Sequence, residues 1–366
     1  MTGPLDSHTP MGIAQARDRL GCSLSDPRRI ALALLRGSVP QGQRAEVVDS
    51  VRNVAAERLA SDLAIDQVDQ LWLEAAMASE PAERVPTGLV EVLKARRRGG
   101  AVASFRQDHA LGRATALLDE LGIEHVVFKG ALVRRLLYAK PHLRPAVDVD
   151  LLVSRARTPA AVRVLQQRGF ESSLASHSDT HEACLAWHEV QLDLHWSLLR
   201  PGRMRVDLTS EILADRVRRG DLWSPSDTHL TVIMLVHPAI TDHVTARLIS
   251  AVDIDRWLRS RPIPWDSVLE VLDRIGLRTA AWAMLYWTHA LFGTPVPDPV
   301  WHALAPGELR KRYLVTWLRY HPANLYWQHP WLVRGGFSLA LQDRAADAAR
   351  ALWKLARKDR LSLDQV

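Results

Sequence analysis

The chain of 366 residues holds only two cysteines, Cys22 and Cys184. Two thiols without metal-binding spacing make neither a disulfide framework nor a zinc site, and a reducing, cytoplasmic setting fits. Long hydrophobic runs are also missing. The longest apolar stretches, 230–236 and 279–293, fall short of the roughly 20 residues that a membrane span needs, so both read as buried helix. The opening MTGPLDSHTPMG has no apolar run behind a basic start, and no secretory signal is read there. There is no internal repeat, no low-complexity tract, and none of the closely spaced aromatics and glycines of a single-strand nucleic-acid binder.

What is present is an ordinary globular balance, 47% hydrophobic and 24% charged, in a chain too long for one small core. The net charge of +6 is uneven. Residues 311–366 carry ten Lys or Arg against four Asp, which accounts for all of it. Such a tail either meets nucleic acid or an acidic partner, or is the solvated face of a helix.

Four regions follow from the patterning. Residues 1–25, rich in Ser, Pro, Gly and Asp, read as a loose leader. Residues 26–100 read as helices, with apolar residues at spacings of three and four and a stop at Gly99-Gly100. In 101–204 the period changes. A helix over 109–122 leads to a short β-branched strand, IEHVVFKG (123–130), then a helix over 131–140. AVDVDLLV (146–153) is a strand, 158–170 a helix, and 181–198 a hairpin. After Pro201 no strand is read: 209–219, 227–237, 245–260, 266–275, 278–292, 307–319 and 341–358 all have helical period. That last region, 205–366, holds ten of the 13 tryptophans, as a core of packed helices would. The fold class is α+β, a mixed sheet flanked by helices on both sides in sequence.

The chemistry centres on the strand VDVDLLV. Side chains alternate along a strand, so Asp148 and Asp150 share one face. Two adjacent carboxylates repel unless a cation sits between them. Upstream, Lys129-Gly130 stands at a strand-to-helix turn, where a glycine admits close approach and free N–H groups attract phosphate. Downstream, VQLDLHW puts Asp193 on a second alternating strand, with His195 two residues on and on the same face. Arg144 either reaches a nucleotide or pins the loop; His195 either contacts substrate or bonds Asp193. His237, at the end of an apolar helix, is expected to be a core histidine. Asp253 and Asp255 fall on different faces of a helix.

The ordered set FKGALVRRLLY, LRPAVDVDLLV and LDLHW resembles the uncharacterised nucleotidyltransferase family of the polymerase-beta-like superfamily, in detail over about residues 120–200. The likeness is looser over LVHP (235–238) and RLISAVDID (247–255). The resemblance implies a nucleotidyltransferase fold with a mixed sheet, dependence on Mg²⁺ (or Mn²⁺), and transfer of a nucleotidyl group. It matches Gly130 to the glycine of a Gly-Ser turn, Asp148 and Asp150 to the metal-binding pair, and Asp193 to the third carboxylate, often the group that activates the acceptor hydroxyl. Where the superfamily has serine this chain has Ala131, and Lys129 and Arg144 are the cations that would compensate in gripping the triphosphate.

The function expected is that of an enzyme that binds an NTP such as ATP with metal and moves NMP to an acceptor, releasing pyrophosphate. The acceptor would be a small molecule or a natural-product peptide, or else an RNA, which the basic tail would favour. The alternative is a nucleotide-sensing or partner-binding module without turnover.

Overall fold

The computed structural model describes residues 35, 55–78, 85–172, 181–320 and 333–361; the leader over 1–25 and most of the helical pattern before residue 55 lie outside the described residues. Helices α1 (Ala56–Ile65) and α2 (Asp69–Met77) lead to α3 (Thr87–Glu120). Next come β1 (His125–Phe128), α4 (Lys129–Leu137), β2 (Asp148–Val153), α5 (Thr158–Gln167), β3 (Glu171–Ser172), β4 (Glu182–Trp187) and β5 (Val190–His195). The second half holds α6 (Thr209–Ala214), a hairpin of β6 (Val217–Arg219) and β7 (Leu222–Ser224), α7 (Asp227–Thr241), α8 (Leu248–Ser260), α9 (Trp265–Ile275) and α10 (Arg278–Phe292). It closes with α11 (Asp298–Leu304), α12 (Glu308–Tyr320) and α13 (Ala345–Leu361).

The five-stranded sheet runs β1-β2-β5-β4-β3, with β2 and β5 parallel and the other neighbours antiparallel. The arrangement is a mixed α/β architecture compatible with an α+β nucleotidyltransferase fold. Alternation along β2 and β5 sends Val149, Leu151, Leu192 and Leu194 to one face, where all four are fully buried. Helix α3 lies against both of these central strands. The other face carries Asp148, Asp150, Asp193 and His195, and these polar side chains need a reason to be there.

Two sequence expectations about local structure fail. The stop at Gly99-Gly100 is absent: α3 runs straight through it for 34 residues, and through the boundary drawn at 100/101. Its first turns bury Leu89, Val90 and Leu93; its last turns bury Ala110, Leu111, Ala114, Leu117 and Leu118. Anchoring at both ends outweighs the roughly 1 kcal/mol that a helical glycine costs relative to alanine. The second failure is the hairpin β6–β7 where only helix was expected. Helix α6 ends at Ala214, and Gly220, at φ 62°, supplies the left-handed turn between two three-residue strands. The rings and cations of this hairpin interlock, with Arg216 and Arg218 each over the Trp223 ring.

The helical half packs as its tryptophans suggest. Trp257 is 1% exposed, and its indole N–H donates to Thr231 Oγ1 at 2.9 Å, tying α8 to α7. Helix α8 also meets α4, so the helical half roofs the strand-to-helix turn at Lys129.

Candidate active site

Three pieces of local structure build the site. The first is the register of the two parallel strands, which sets Asp150 directly beside Asp193 and Asp148 beside Gln191. The second is the β1–α4 turn. Phe128 pairs with Asp150 across the antiparallel strands, and Lys129 follows at φ 56°. A left-handed conformation costs a residue with a Cβ roughly 1–2 kcal/mol, and here it aims the lysine across the sheet. Its Nζ donates to Asp150 Oδ1 at 2.7 Å. The third is the hairpin β4–β5, which brings Glu182 opposite His195.

The result is a buried chain of polar groups. His195, fully buried, sets Nε2 2.8 Å from Asp150 Oδ1 and Nδ1 3.2 Å from Glu182 Oε2. Lys129 Nζ lies 3.4 Å from the same Nε2. His181 Nε2 stands 3.6 Å from Glu182 Oε2. Asp193 is held by Gln191, whose Nε2 donates to Oδ1 and Oδ2 at 3.0 and 3.1 Å. His195 was expected to bond Asp193 or a substrate; its ring instead leans diagonally to Asp150, and glutamine takes Asp193.

Burial and mutual repulsion shape the protonation of the cluster. Burial pushes the Asp148 carboxyl up, with Asp150 adding repulsion and Lys129 and Arg247 opposing, to about 6. Burial also raises Asp193, against the Gln191 bonds, and raises Glu182. Burial works against the Lys129 charge, yet Asp150, Asp148 and Glu182 more than restore it, so its pKa ends above the usual lysine range. Burial keeps His195 well below the usual imidazole range, assisted by the Lys129 charge, and lowers His181 to about 3. Cys184 beside Asp193 is pushed up to about 12 by burial and then by that carboxylate, so it stays an inert thiol.

A metal ion would find donors here. Asp150, Asp193 and His195 each offer an atom within 4.8 Å of the others. Asp150 Oδ2 is buried with no hydrogen-bond partner among the described residues, a cost that a cation would remove. Oxygen donors with one imidazole suit a hard divalent ion such as Mg²⁺ or Mn²⁺. Asp148 stands outside this tight group, on the same face but at the rim, with no ion pair among the described residues.

Over the carboxylates lies a cleft of about 910 Å³, its open mouth included. Its floor is Lys129, Gly130, Asp148 and Asp150; its roof comes from α7 and α8, with His237, Asp242, Arg247 and Ser250 among the lining residues. Ala131, Asp193 and His195 do not line it. The glycine at 130 is required by close approach: a Cβ there would stand 2.4 Å from Arg144 Nη1 and 3.2 Å from the Ala146 Cβ. Arg144 in turn is committed. Its Nε and Nη2 donate to Asp253 Oδ2 at 3.1 and 2.9 Å, and Tyr138 Oη donates to Asp253 Oδ1 at 2.6 Å. Of the two roles open to Arg144 from sequence, these bonds make the one that pins the loop, fastening it to α8.

His237 differs from its expectation as a core residue. It lines the same cleft as Asp148, near the end of α7, with Nδ1 3.2 Å from Thr241 Oγ1. Sequence reasoning missed Glu182, Asp242 and Arg247. Glu182 had a faint signal in opening an alternating strand one residue after a histidine. Asp242 and Arg247 are loop residues between two helices, and no spacing in the sequence ties them to the acidic strand. Asp253 was weighed only against metal; its part is to hold Arg144.

A mixed sheet sets paired carboxylates on neighbouring parallel strands beneath a helical roof, an arrangement compatible with a nucleotidyltransferase fold. The class is borne out by comparison: the chain belongs to the uncharacterised nucleotidyltransferase family, matching it over residues 56–293. The match spans α1 to the end of α10, so floor and roof both fall inside it. Among curated proteins none matches the chain. No helix among the described residues is long and apolar enough to cross a membrane.

Proposed function

We propose that this chain is a Mg²⁺- or Mn²⁺-dependent enzyme that transfers NMP from an NTP to an acceptor and releases pyrophosphate. The observation that carries the reading is the pair Asp150 and Asp193, side by side on parallel strands, with a buried Asp150 oxygen lacking a hydrogen-bond partner among the described residues. Membership of a nucleotidyltransferase family supports the general reaction. Asp150 and Asp193 would hold the ion, with His195 behind them and Asp148 at the rim. A bound divalent ion supplies charge neutralisation of the triphosphate and a lower pKa for the attacking hydroxyl.

The residues of the chain do the rest. Lys129 and Gly130 sit where the phosphates would enter, and Arg144 keeps the loop before the acidic strand in place. The Asp193 carboxylate, made more basic by burial, is suited to take the proton of the acceptor hydroxyl. Gln191 fixes its orientation through both oxygens. The roof of α7 and α8 limits water over the reacting groups. The acceptor we favour is a small molecule or a peptide. An RNA acceptor would engage the basic segment 311–366, where side chains from residue 354 on lie outside the described residues.

One observation favours the second reading, a nucleotide-sensing module. The Lys129 ammonium already sits on Asp150 Oδ1, where it partly satisfies the carboxylate without any ion. Pyrophosphate release decides between the two. Incubation with each NTP, Mg²⁺ or Mn²⁺, and a mixture of hydroxyl-bearing acceptors should give release that D193N loses. Nucleotide binding without release in the parent protein would leave the sensing module.

A further inference from the structure

Three cations face the cleft floor or line its wall, and they are not equally available. Lys129 donates to Asp150, and Arg144 is locked to Asp253 with Pro145 O also accepting from its Nη1. Arg247 lines the same cleft, half-buried, with no hydrogen bond and no ion pair among the described residues. A guanidinium in a cleft is an expensive group to leave without an anion, and its planar fork matches phosphate oxygens.

The backbone around Arg247 is held in advance. It immediately precedes α8, and the first N–H groups of that helix are both taken: Leu248 N donates to Asp66 Oδ1 at 3.2 Å, and Ile249 N to Asp66 O at 3.1 Å. Asp66 is 3% exposed, at the C-terminal end of α1. The start of α8 is therefore fastened to the N-terminal helices, and Arg247 projects from a fixed point. Ser250, on the first turn of α8, lines the cleft as well and offers a hydroxyl from the roof.

We propose that Arg247, on the helical roof, is the residue that grips the polyphosphate of the nucleotide, with Ser250 beside it, in place of the missing serine after Gly130. This rests on the nucleotidyltransferase reading. The floor supplies the metal ligands and the roof supplies the counter-charge for the phosphates, so nucleotide binding fastens one to the other. Asp148, Asp150 and Asp242 line the same cleft and would repel a bare triphosphate, so the ligand is its complex with a divalent ion.

The test uses calorimetry on the full chain with Mg·ATP and with Mg·inorganic triphosphate, which carries no base. A charge-assisted hydrogen-bond pair lost from a cleft corresponds to roughly a ten- to hundredfold change in Kd. R247Q should weaken both ligands by that factor and by equal amounts, and R247K should fall between R247Q and the parent. Since Arg247 makes no hydrogen bond or ion pair among the described residues and acts on Asp148 and Asp242 only through its charge at a distance, the thermal midpoint of either variant should stay close to the parent. Parent-like binding of Mg·triphosphate by R247Q overturns the proposal and leaves the nucleotidyltransferase reading standing. Weaker ATP binding with triphosphate unchanged also overturns it, because Arg247 would then serve the nucleoside. A parent chain that binds neither ligand overturns both.

Discussion

The floor and the roof of the cleft hold their charges in opposite ways. At and beneath the floor Lys129, Asp150, His195 and Glu182 form an unbroken chain of contacts between 2.7 and 3.2 Å, Asp193 is held by the neutral Gln191, and Asp148 at the rim has no ion pair among the described residues. On the roof Asp242 and Arg247 make no ion pair among the described residues, although each lies close enough to feel the other. Most of the floor's charges are thus held by partners before any ligand arrives, and the roof's are not. A floor with satisfied charges can be buried cheaply and keeps its shape; an open roof keeps its charge for something that enters.

The largest effect should come from breaking the floor. Asp150→Asn should lower pyrophosphate release at least roughly a thousandfold, since several kcal/mol of metal-derived stabilisation would go at about 1.4 kcal/mol per factor of ten. A sequence argument alone would expect this variant to keep or gain stability by removing repulsion. The geometry reverses that expectation, because Asp150 is the acceptor for both Lys129 and His195. An asparagine oxygen still accepts one bond, so a loss of about 1–3 kcal/mol is expected in urea unfolding. A D150N protein with parent activity would remove the metal site from Asp150.

Next in size is the contrast between two arginines. Arg144→Met leaves Asp253 buried at the end of a severed pair, with Tyr138 as its remaining donor. Breaking a buried pair from one side costs about 3–5 kcal/mol. Arg247→Gln, with no ion pair to sever among the described residues and only a longer-range influence on Asp148 and Asp242 to lose, should change stability by no more than about 1 kcal/mol. Equal losses in both variants by chemical denaturation would erase the distinction between a paired wall and an open roof.

Asp148 separates rim from floor through pH. Its folded pKa is about 6, above the ordinary aspartate value of 3.8, so the folded state binds more protons between those two values. Stability therefore falls as pH rises from about 4 to 6 and is flat on either side, by at most about 3 kcal/mol in the metal-free protein. Asp148→Asn should remove that share of the slope, leaving the smaller shares of Asp193, Glu182 and Asp242, and be the more stable form at pH 7 in EDTA. Thermal midpoints of both proteins across pH 4–8 check it; parallel curves would mean that Asp148 is well solvated.

How much of this was legible in the sequence follows from how local each signal is. The strands at 148–153 and 190–195 declared themselves by alternation, and the helix over 278–292 by its period and flanking Gly293. The D-x-D face could be drawn from period two alone. The partner of each charge could not, because it depends on register: Asp150 meets Asp193 through parallel pairing, and Asp253 meets Arg144 across 109 positions of sequence. The Gly-Gly in α3 misled because packing at the two ends of a helix is invisible from its middle. The β6–β7 hairpin was hidden by strands of three residues, too short for any period to register.

The smallest effect tests whether Lys129 serves the metal site or competes with it. Its Nζ lies 2.7 Å from Asp150 Oδ1, on a carboxylate that a divalent ion would use. Its backbone is held at φ 56°, and the ion pair with Asp150 helps to offset that strain. The chain therefore tolerates local strain to keep a positive charge at the acidic strand, and two like charges at one carboxylate repel. In the absence of nucleotide, Lys129→Met should tighten Mn²⁺ binding by roughly three- to tenfold, well below the several kcal/mol of a bare charge pair at an effective dielectric near 20, because water in the open cleft screens the pair. With ATP present the gain should shrink or reverse, because the ammonium can then turn from Asp150 to a phosphate oxygen. Electron paramagnetic resonance titration of free Mn²⁺ gives both constants directly. If K129M binds Mn²⁺ more weakly than the parent with no nucleotide present, the lysine orders Asp150 for the ion rather than standing in for it. The floor would then be a site assembled by its own cation, and the partnered floor set against the open roof would no longer describe this cleft.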